Sequence, residues 1–254
     1  MHIETRKIIE KWYRKLNFSK KYDEQFYDIL DHEDIDETVA VDEYSKSGAN
    51  GRKNFIMQLY FLENLHKEYV KKGISIEIFD DTVYDLVRWT DIWSEIKGEL
   101  WLEELLWLNQ HLSMRLFKIG RLQYCLYNSP ENVEEFGIKK DDNVIDVHIP
   151  AAGPLELEKC ISSLSAAVEF FEKYFPEHDY RFFMCHSWLL DNTLKKYLSN
   201  NSNILKFQSL FSTVRGDKSY DILKYIFKWN TTVENLEEFD AKSEFAKKIK
   251  RAVL

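Results

Sequence analysis

Residues 143–190 constrain the fold more than any other stretch of this chain. They read NVIDVHIPAAGPLELEKCISSLSAAVEFFEKYFPEHDYRFFMCHSWLL. At the start, Ile145, Val147 and Ile149 share one face of a period-two segment, and Val144, Asp146 and His148 share the other. Leu157, Cys160, Ile161, Leu164, Val168, Phe171 and Phe175 then recur at helical spacing until Pro176 ends the run. Residues 180–188 read as a second strand, with Phe182, Met184 and His186 on one face. A strand, a helix and a strand in that order imply a right-handed crossover and two parallel strands. Both strands end near a histidine, His148 and His186, at the edge where open α/β sheets take their ligands.

The chain before this unit reads as helical. Ile8, Ile9, Trp12 and Leu16 recur at helical spacing, and Phe26 and Leu30 follow more weakly. Residues 41–53 are polar and loop-like. Gly48, Ala49, Asn50, Gly51, Arg52 and Lys53 lack the spacing and the Ser or Thr of a phosphate loop, so a surface loop is expected there. Residues 54–72 carry Phe55, Leu59, Leu62, Leu65 and Tyr69 on one stripe, with Gly73 as a stop. A further helix is expected from Asp80 and Asp81 onward, and another over residues 99–117. The tryptophans of these helices alternate with leucines, which predicts interhelical packing and not a ligand platform. After Gly120 the pattern changes: Leu122, Tyr124 and Leu126 alternate as in a strand. Beyond the β-α-β unit the sequence predicts a short helix at 191–198, strands at 204–211 and 222–229 around a turn at Arg215, Gly216 and Asp217, and a charged amphipathic helix within 234–254. The fold class is therefore α+β/α/β, a helical domain over residues 1–116 followed by a mixed-sheet domain over 117–254.

Composition narrows the function. Thirty-five Lys and Arg against 43 Asp and Glu give a net charge of −8, which disfavours a nucleic-acid partner. Only 8 Gly and 4 Pro occur, against disorder and against a turn-rich all-β fold. Cys125, Cys160 and Cys185 are too far apart for a disulfide framework or a zinc knuckle, and the seven His show no metal-ligand spacing, so no metal is expected. No apolar run reaches the roughly 20 residues of a membrane span, and the N-terminal residues lack the apolar core of a signal peptide. A cytoplasmic protein with no membrane contact and an undetermined oligomeric state is expected.

Three features could carry chemistry. The turn Pro150-Ala151-Ala152-Gly153-Pro154 is small and precedes a helix whose first amides have no intrahelical partner, an arrangement suited to a phosphate. An ordinary strand-to-helix turn is the simpler reading. His148 and His186 could take a proton from an attacking amine or hydroxyl, with Asp146 coupled to His148 from the same strand face; each His could equally close its strand through a buried hydrogen bond. Cys185 and Ser187 flank His186, but neighbouring strand residues point to opposite faces, and the surrounding residues do not match a hydrolase elbow.

Four blocks in the second half, FKIGRLQY at 117–124, VHIP at 147–150 with GPL at 153–155, CHSWLLD at 185–191, and SNILKFQ at 202–208, resemble bacterial acyltransferase-domain proteins. These pair a helical N-terminal domain with a GNAT-like C-terminal domain. The resemblance implies a GNAT-like mixed β-sheet flanked by helices, and acyl transfer from acetyl-CoA or another acyl-CoA to a small-molecule acceptor. It implies that Ile149, Pro150, Ala151, Ala152, Gly153, Leu155 and Ser187 line the donor, the amides of Ala152 and Gly153 at the helix start gripping its pyrophosphate. It further implies that His148 or His186 is the base, with Asp146 behind it, and that Tyr197 protonates the leaving thiolate. Lys139, Lys140, Lys195 and Lys196 are candidates for the 3′-phosphate. The usual [QR]-x-x-G-x-[GA] loop is replaced by Pro150-Ala151-Ala152-Gly153-Pro154. That departure leaves a second reading open, a non-catalytic degenerate module that senses acyl-CoA or binds a protein. A hydrolase acting through Ser187 is a third.

Overall fold

The computed structural model describes residues 1–47, 50–214, 216 and 219–254. It divides into two compact units, Met1–Ile119 with Gln123–Cys125, and Gly120–Leu122 with Leu126–Leu254. Among the described residues the first unit holds the helices α1 (Ile3–Leu16), α2 (Asp23–His32), α3 (Val41–Tyr44), α4 (Gly51–Lys72), α5 (Ile76–Val83), α6 (Asp85–Lys97) and α7 (Leu105–Leu112), and then strand β1 (Leu116–Ile119).

Helix α4 organises that unit. Its apolar stripe, Phe55, Leu59, Leu62, Leu65 and Tyr69, is buried as its spacing requires. Asn50 caps it by accepting from the Lys53 amide, and Gly73 ends it at φ 71°. Aromatic residues of α1, α2 and the link between them close over it: Tyr13 stacks on Phe26 with centroids 3.7 Å apart, and Phe18, in the link, meets Phe55 edge-on at 5.1 Å. A Cβ at Gly51 would lie 2.3 Å from the Trp101 ring, so only glycine can occupy that position under the indole. Trp101 thus packs on α4, but from outside the helix expected to carry it, and it is half-buried. One polar knot sits inside: the nearly buried Asp85 carboxylate lies 3.3 Å from His111 Nε2, accepts from Trp107 Nε1 at 2.8 Å, and has Arg88 at 3.7 Å.

Several expected boundaries move. Helix α4 opens at Gly51, within the expected loop; Gly48 and Ala49 of that stretch lie outside the described residues. The helix expected from Asp80 starts at Ile76 instead, because the Ser75 hydroxyl caps it by accepting from the Glu77 amide. The helix expected over 99–117 is confined to Leu105–Leu112. Leu116 and Phe117 are then drawn into β1, where the Lys118 amide donates to Thr82 Oγ1.

The sheet of four strands has the order β1-β2-β3-β4, with β2 (Leu122–Asn128), β3 (Asn143–His148) and β4 (Phe183–Met184). Helix α8 (Leu157–Tyr174) crosses from β3 to β4, which pair in parallel as the crossover requires. Of the expected stripe, Cys160, Phe171 and Phe175 are buried, Leu157, Leu164 and Val168 are half-buried and Ile161 is exposed; the buried face turns instead to Ser163, Ala167 and Phe170. The second strand is much shorter than the expected 180–188: after Met184 the chain leaves β3 and turns into 3₁₀ segments at Trp188–Leu190 and Asn192–Lys196, where a regular helix was expected. The segments expected as strands at 204–211 and 222–229 are helices, α9 (Asn203–Gln208) and α10 (Asp221–Ile226). Short apolar runs do not distinguish strand from buried helix. Here a Ser202 cap starts α9, and Leu223 of α10 packs with Leu194, Leu236 and Ile249. Arg215 and Asp217 of the intervening turn lie outside the described residues. The amphipathic tail forms α11 (Glu244–Val253), capped by Ser243. The class is the expected one, a helical region followed by a mixed sheet with flanking helices.

Candidate active site

The site is built where β3 and β4 part. Their register pairs Ile145 with Phe183 and Asp146 with Met184, and the Ile145 amide donates to the Phe182 carbonyl at 3.1 Å. β3 runs on to His148, whereas β4 stops at Met184. Asp146 therefore stands at the last paired position. Its carboxylate is nearly buried, and it serves two histidines. Oδ2 lies 3.2 Å from His148 Nε2, and Oδ1 lies 3.5 Å from His186 Nδ1. The pairing of Asp146 with His148 is the expected one, since both point from the same strand face. His186, 40 residues further along, joins them only through the crossover.

A carboxylate accepts, so each imidazole presents N–H to it. His148 then carries its proton on Nε2 and His186 on Nδ1, which leaves His186 Nε2 as an acceptor. The His186 side chain is 53% exposed against 27% for His148, so it is the more open of the two. The hydrogen bond to Asp146 holds the His186 pKa above its ordinary 6.5; desolvation opposes this, and the charges of Asp146 and Glu131 add to it. The neighbouring thiol moves the other way in reactivity: burial, then the Asp146 charge, pushes the Cys185 pKa up and keeps it protonated. Ser187 is occupied as a cap, its hydroxyl accepting from the Leu189 amide at 3.2 Å. The segment behind His186 is tied down by Gln208, whose amide nitrogen donates to the carbonyls of Leu189 and Asp191 at 2.8 and 3.0 Å.

The turn at 150–154 differs from expectation in one respect. Helix α8 begins at Leu157 after Glu156, so Pro154, Ala152 and Gly153 precede the helix and are not its first turn. The Ala152 amide donates to the Pro150 carbonyl at 2.7 Å, inside the turn. Gly153 is required by its φ of 75°, not by crowding, since a Cβ there would meet nothing within 4 Å. Arg121, from the tight turn between β1 and β2, grips the loop. Its Nε, Nη1 and Nη2 donate to the carbonyls of Pro154, Pro150 and Gly153 at 3.0, 3.1 and 2.9 Å. On that side a groove of about 620 Å³ opens between the turn and α8, lined by Ala152, Pro154, Lys159, Ser162 and Ala166 beside Arg121. Ile149 is half-buried, Pro150 and Leu155 are buried, and Ala151 is exposed.

Tyr197 follows the second 3₁₀ segment and lies half-buried, packed on the cluster of Leu194, Leu223, Leu236 and Ile249. Lys139, Lys140, Lys195 and Lys196 are exposed. Arg121 and Gln208, which hold the turn and the segment behind His186, are not among the residues the sequence singles out. Both lie inside the blocks that carry the family resemblance, 117–124 and 202–208, but no motif or spacing there gives either a role. Among the described residues no group of three or more His, Cys, Asp or Glu is arranged to hold a metal ion, and no helix is long and apolar enough to cross a membrane.

Comparison with known proteins gives the family. The family model of the GNAT-like C-terminal domain matches residues 116–254, and that of the N-acyltransferase N-terminal domain matches residues 4–114. No curated protein matches the chain. It is similar to a solved acyltransferase in complex with decanoyl-CoA, at 27% identity and a TM-score of 0.67, over 78% of this chain and 60% of that one. The chain thus spans 60% of that protein's length. Two further structures share the fold: an acyltransferase in complex with decanoyl-CoA and teicoplanin, at 21% identity and a TM-score of 0.74 over 96% of this chain and 81% of that one, and one with CoA and 10C-teicoplanin, at 21% and 0.73 over 99% and 82%.

Proposed function

The chain belongs to the GNAT-like C-terminal domain family, and on that premise we propose that it moves an acyl group from an acyl-CoA to a small-molecule amine or hydroxyl. One observation carries the reading. The parallel pair parts immediately after Asp146 and Met184, and the gap is flanked by a carboxylate holding two imidazoles. A splayed pair of this kind opens a gap in which an extended pantetheine arm can lie, and it brings a thioester to a proton acceptor.

In the proposed reaction the acceptor nitrogen or oxygen attacks the thioester carbonyl carbon directly. Its proton passes to His186 Nε2, the open acceptor of the pair, while Asp146 fixes the tautomer and offsets the imidazolium charge. The C–S bond breaks and the CoA thiolate takes a proton from Tyr197. His148 shares Asp146 and completes the hydrogen-bonded unit. The raised pKa of Cys185 and the capping role of Ser187 argue against a covalent acyl-enzyme. The pyrophosphate is assigned to the 150–154 turn, with the division of the chain at about residue 116. The solved relatives carry decanoyl-CoA or CoA, and two of them teicoplanin; a medium-length acyl donor and a bulky polar acceptor are the first to test. The net charge of −8 supports a partner other than nucleic acid, and the three free thiols suit the reducing cytoplasm.

A non-catalytic acyl-CoA sensor is the second reading, favoured by the Ala152 amide being spent within the turn. Thermal melting with acetyl-, octanoyl- and decanoyl-CoA, followed by CoA release across a panel of amines and alcohols, separates the two. A melting shift with turnover supports the transferase. A shift with no turnover on any acceptor supports the sensor, and no shift with any acyl-CoA refutes both.

A further inference from the structure

The family's usual phosphate loop is absent here, yet the turn that replaces it is held by three bonds from one side chain. Arg121 reaches it from the turn between β1 and β2, some 30 residues away in sequence, and takes the carbonyls of Pro150, Gly153 and Pro154. Five N–H donors in a planar fork allow one residue to do this, and a lysine could not reproduce the geometry. The consequence follows from peptide planarity. In a trans peptide the N–H points opposite to the C=O. Drawing the Pro150 and Pro154 carbonyls toward Arg121 turns the Ala151 and Leu155 amides to the other side. The Ala152 amide is already committed to Pro150. The cation also offsets the negative ends of those three carbonyls, which would otherwise repel an anion.

We infer that Arg121 is the positioning residue of the donor-phosphate site, orienting the 150–154 turn so that its Ala151 and Leu155 amides face the pyrophosphate. The inference rests on the acyl-CoA reading above and adds the residue that makes the non-consensus turn work. Arg121 acts through the backbone of the turn. The groove on its own side, which Lys159 also lines, is not the phosphate site.

The test compares octanoyl-CoA with S-octanoyl-pantetheine, which has the same thioester and arm but lacks the pyrophosphate and nucleotide. Both are titrated calorimetrically into the wild type, Arg121→Ala, Arg121→Lys and Lys159→Ala, with melting temperature as a check on folding. Arg121→Ala is expected to weaken octanoyl-CoA about tenfold, the size of one charge-assisted hydrogen bond, and to leave S-octanoyl-pantetheine unchanged. Arg121→Lys should restore only part of the loss, and Lys159→Ala should change neither. A merely structural role would weaken both ligands equally, and that result overturns the inference. So does unchanged octanoyl-CoA affinity in Arg121→Ala, or an equal loss in Lys159→Ala, which would move the phosphate into the groove. Should Arg121→Ala fail to fold, the same split between the two ligands is read from Arg121→Lys. A wild type that binds neither ligand refutes the donor reading itself, and a wild type that binds beside an equally competent Arg121→Ala refutes only the positioning role.

Discussion

Asp85 is expected to make the N-terminal unit acid-sensitive by an amount that can be worked from its surroundings. Burial alone would raise its pKa, but His111, Trp107 and Gln123 outweigh this and bring it from 3.8 down to about 2. A carboxylate with a depressed folded pKa stabilises the fold above its unfolded pKa, and that stability is lost as pH falls through the folded value. At about 1.36 kcal/mol per pH unit, the separation is worth roughly 2.5 kcal/mol near neutrality, of which roughly 1 is gone by pH 3. The perturbation is Asp85→Asn, which keeps the shape and removes the charge that faces His111 and Arg88. Leaving those groups without their counter-charge should cost about 3 kcal/mol at pH 6. Urea unfolding of both proteins, followed by tryptophan fluorescence at pH 6 and pH 3, checks this. The gap between wild type and variant should shrink by roughly 1 kcal/mol at the lower pH. A gap that stays constant or widens would refute the assignment of the depressed pKa to this network.

Other expectations concern the site. Turnover should rise with pH along a limb centred above 6.5, because His186 must be neutral to accept a proton and Asp146 holds its pKa up. Asp146→Asn should lower kcat by about a hundredfold and shift that limb to lower pH, with the KM for acyl-CoA little changed; a limb that does not move would place the base elsewhere. Tyr197→Phe should lower kcat most for poorly activated donors, and an unchanged kcat would return Tyr197 to a packing role. Gly153→Ala forces an alanine to φ 75° and should cost about 1 kcal/mol in urea unfolding, together with a weaker affinity for octanoyl-CoA. Cys185, with its thiol pKa pushed up, should react with iodoacetamide at pH 7.5 far more slowly than a free thiol; fast labelling would reopen a thiolate mechanism.

Much of this protein was legible in its order of residues, for a local reason. A helix or strand records its buried face as a period. The stripe of α4 and the presence of the crossover helix α8 could therefore be read directly, as could the placement of Asp146 and His148 on one strand face; β3 is buried on both faces, so no period marks it. Caps were legible only where they stood beside a clear period, so Gly73 was found and Ser75 was not. Where the apolar runs were short, as around Ile204 and Ile222, period alone could not separate strand from helix, and packing with Leu194 and Ile249 decided for helix. The tertiary structure alone decided three things. It ended β4 at Met184, because a strand lasts only as long as its partner stays in register. It brought His186 to the far oxygen of Asp146 across 40 residues. It set Arg121 on the carbonyls of a turn about 30 residues away. Periodicity reports which side of an element is buried, whereas these contacts depend on where the chain crosses itself, and no local pattern encodes that.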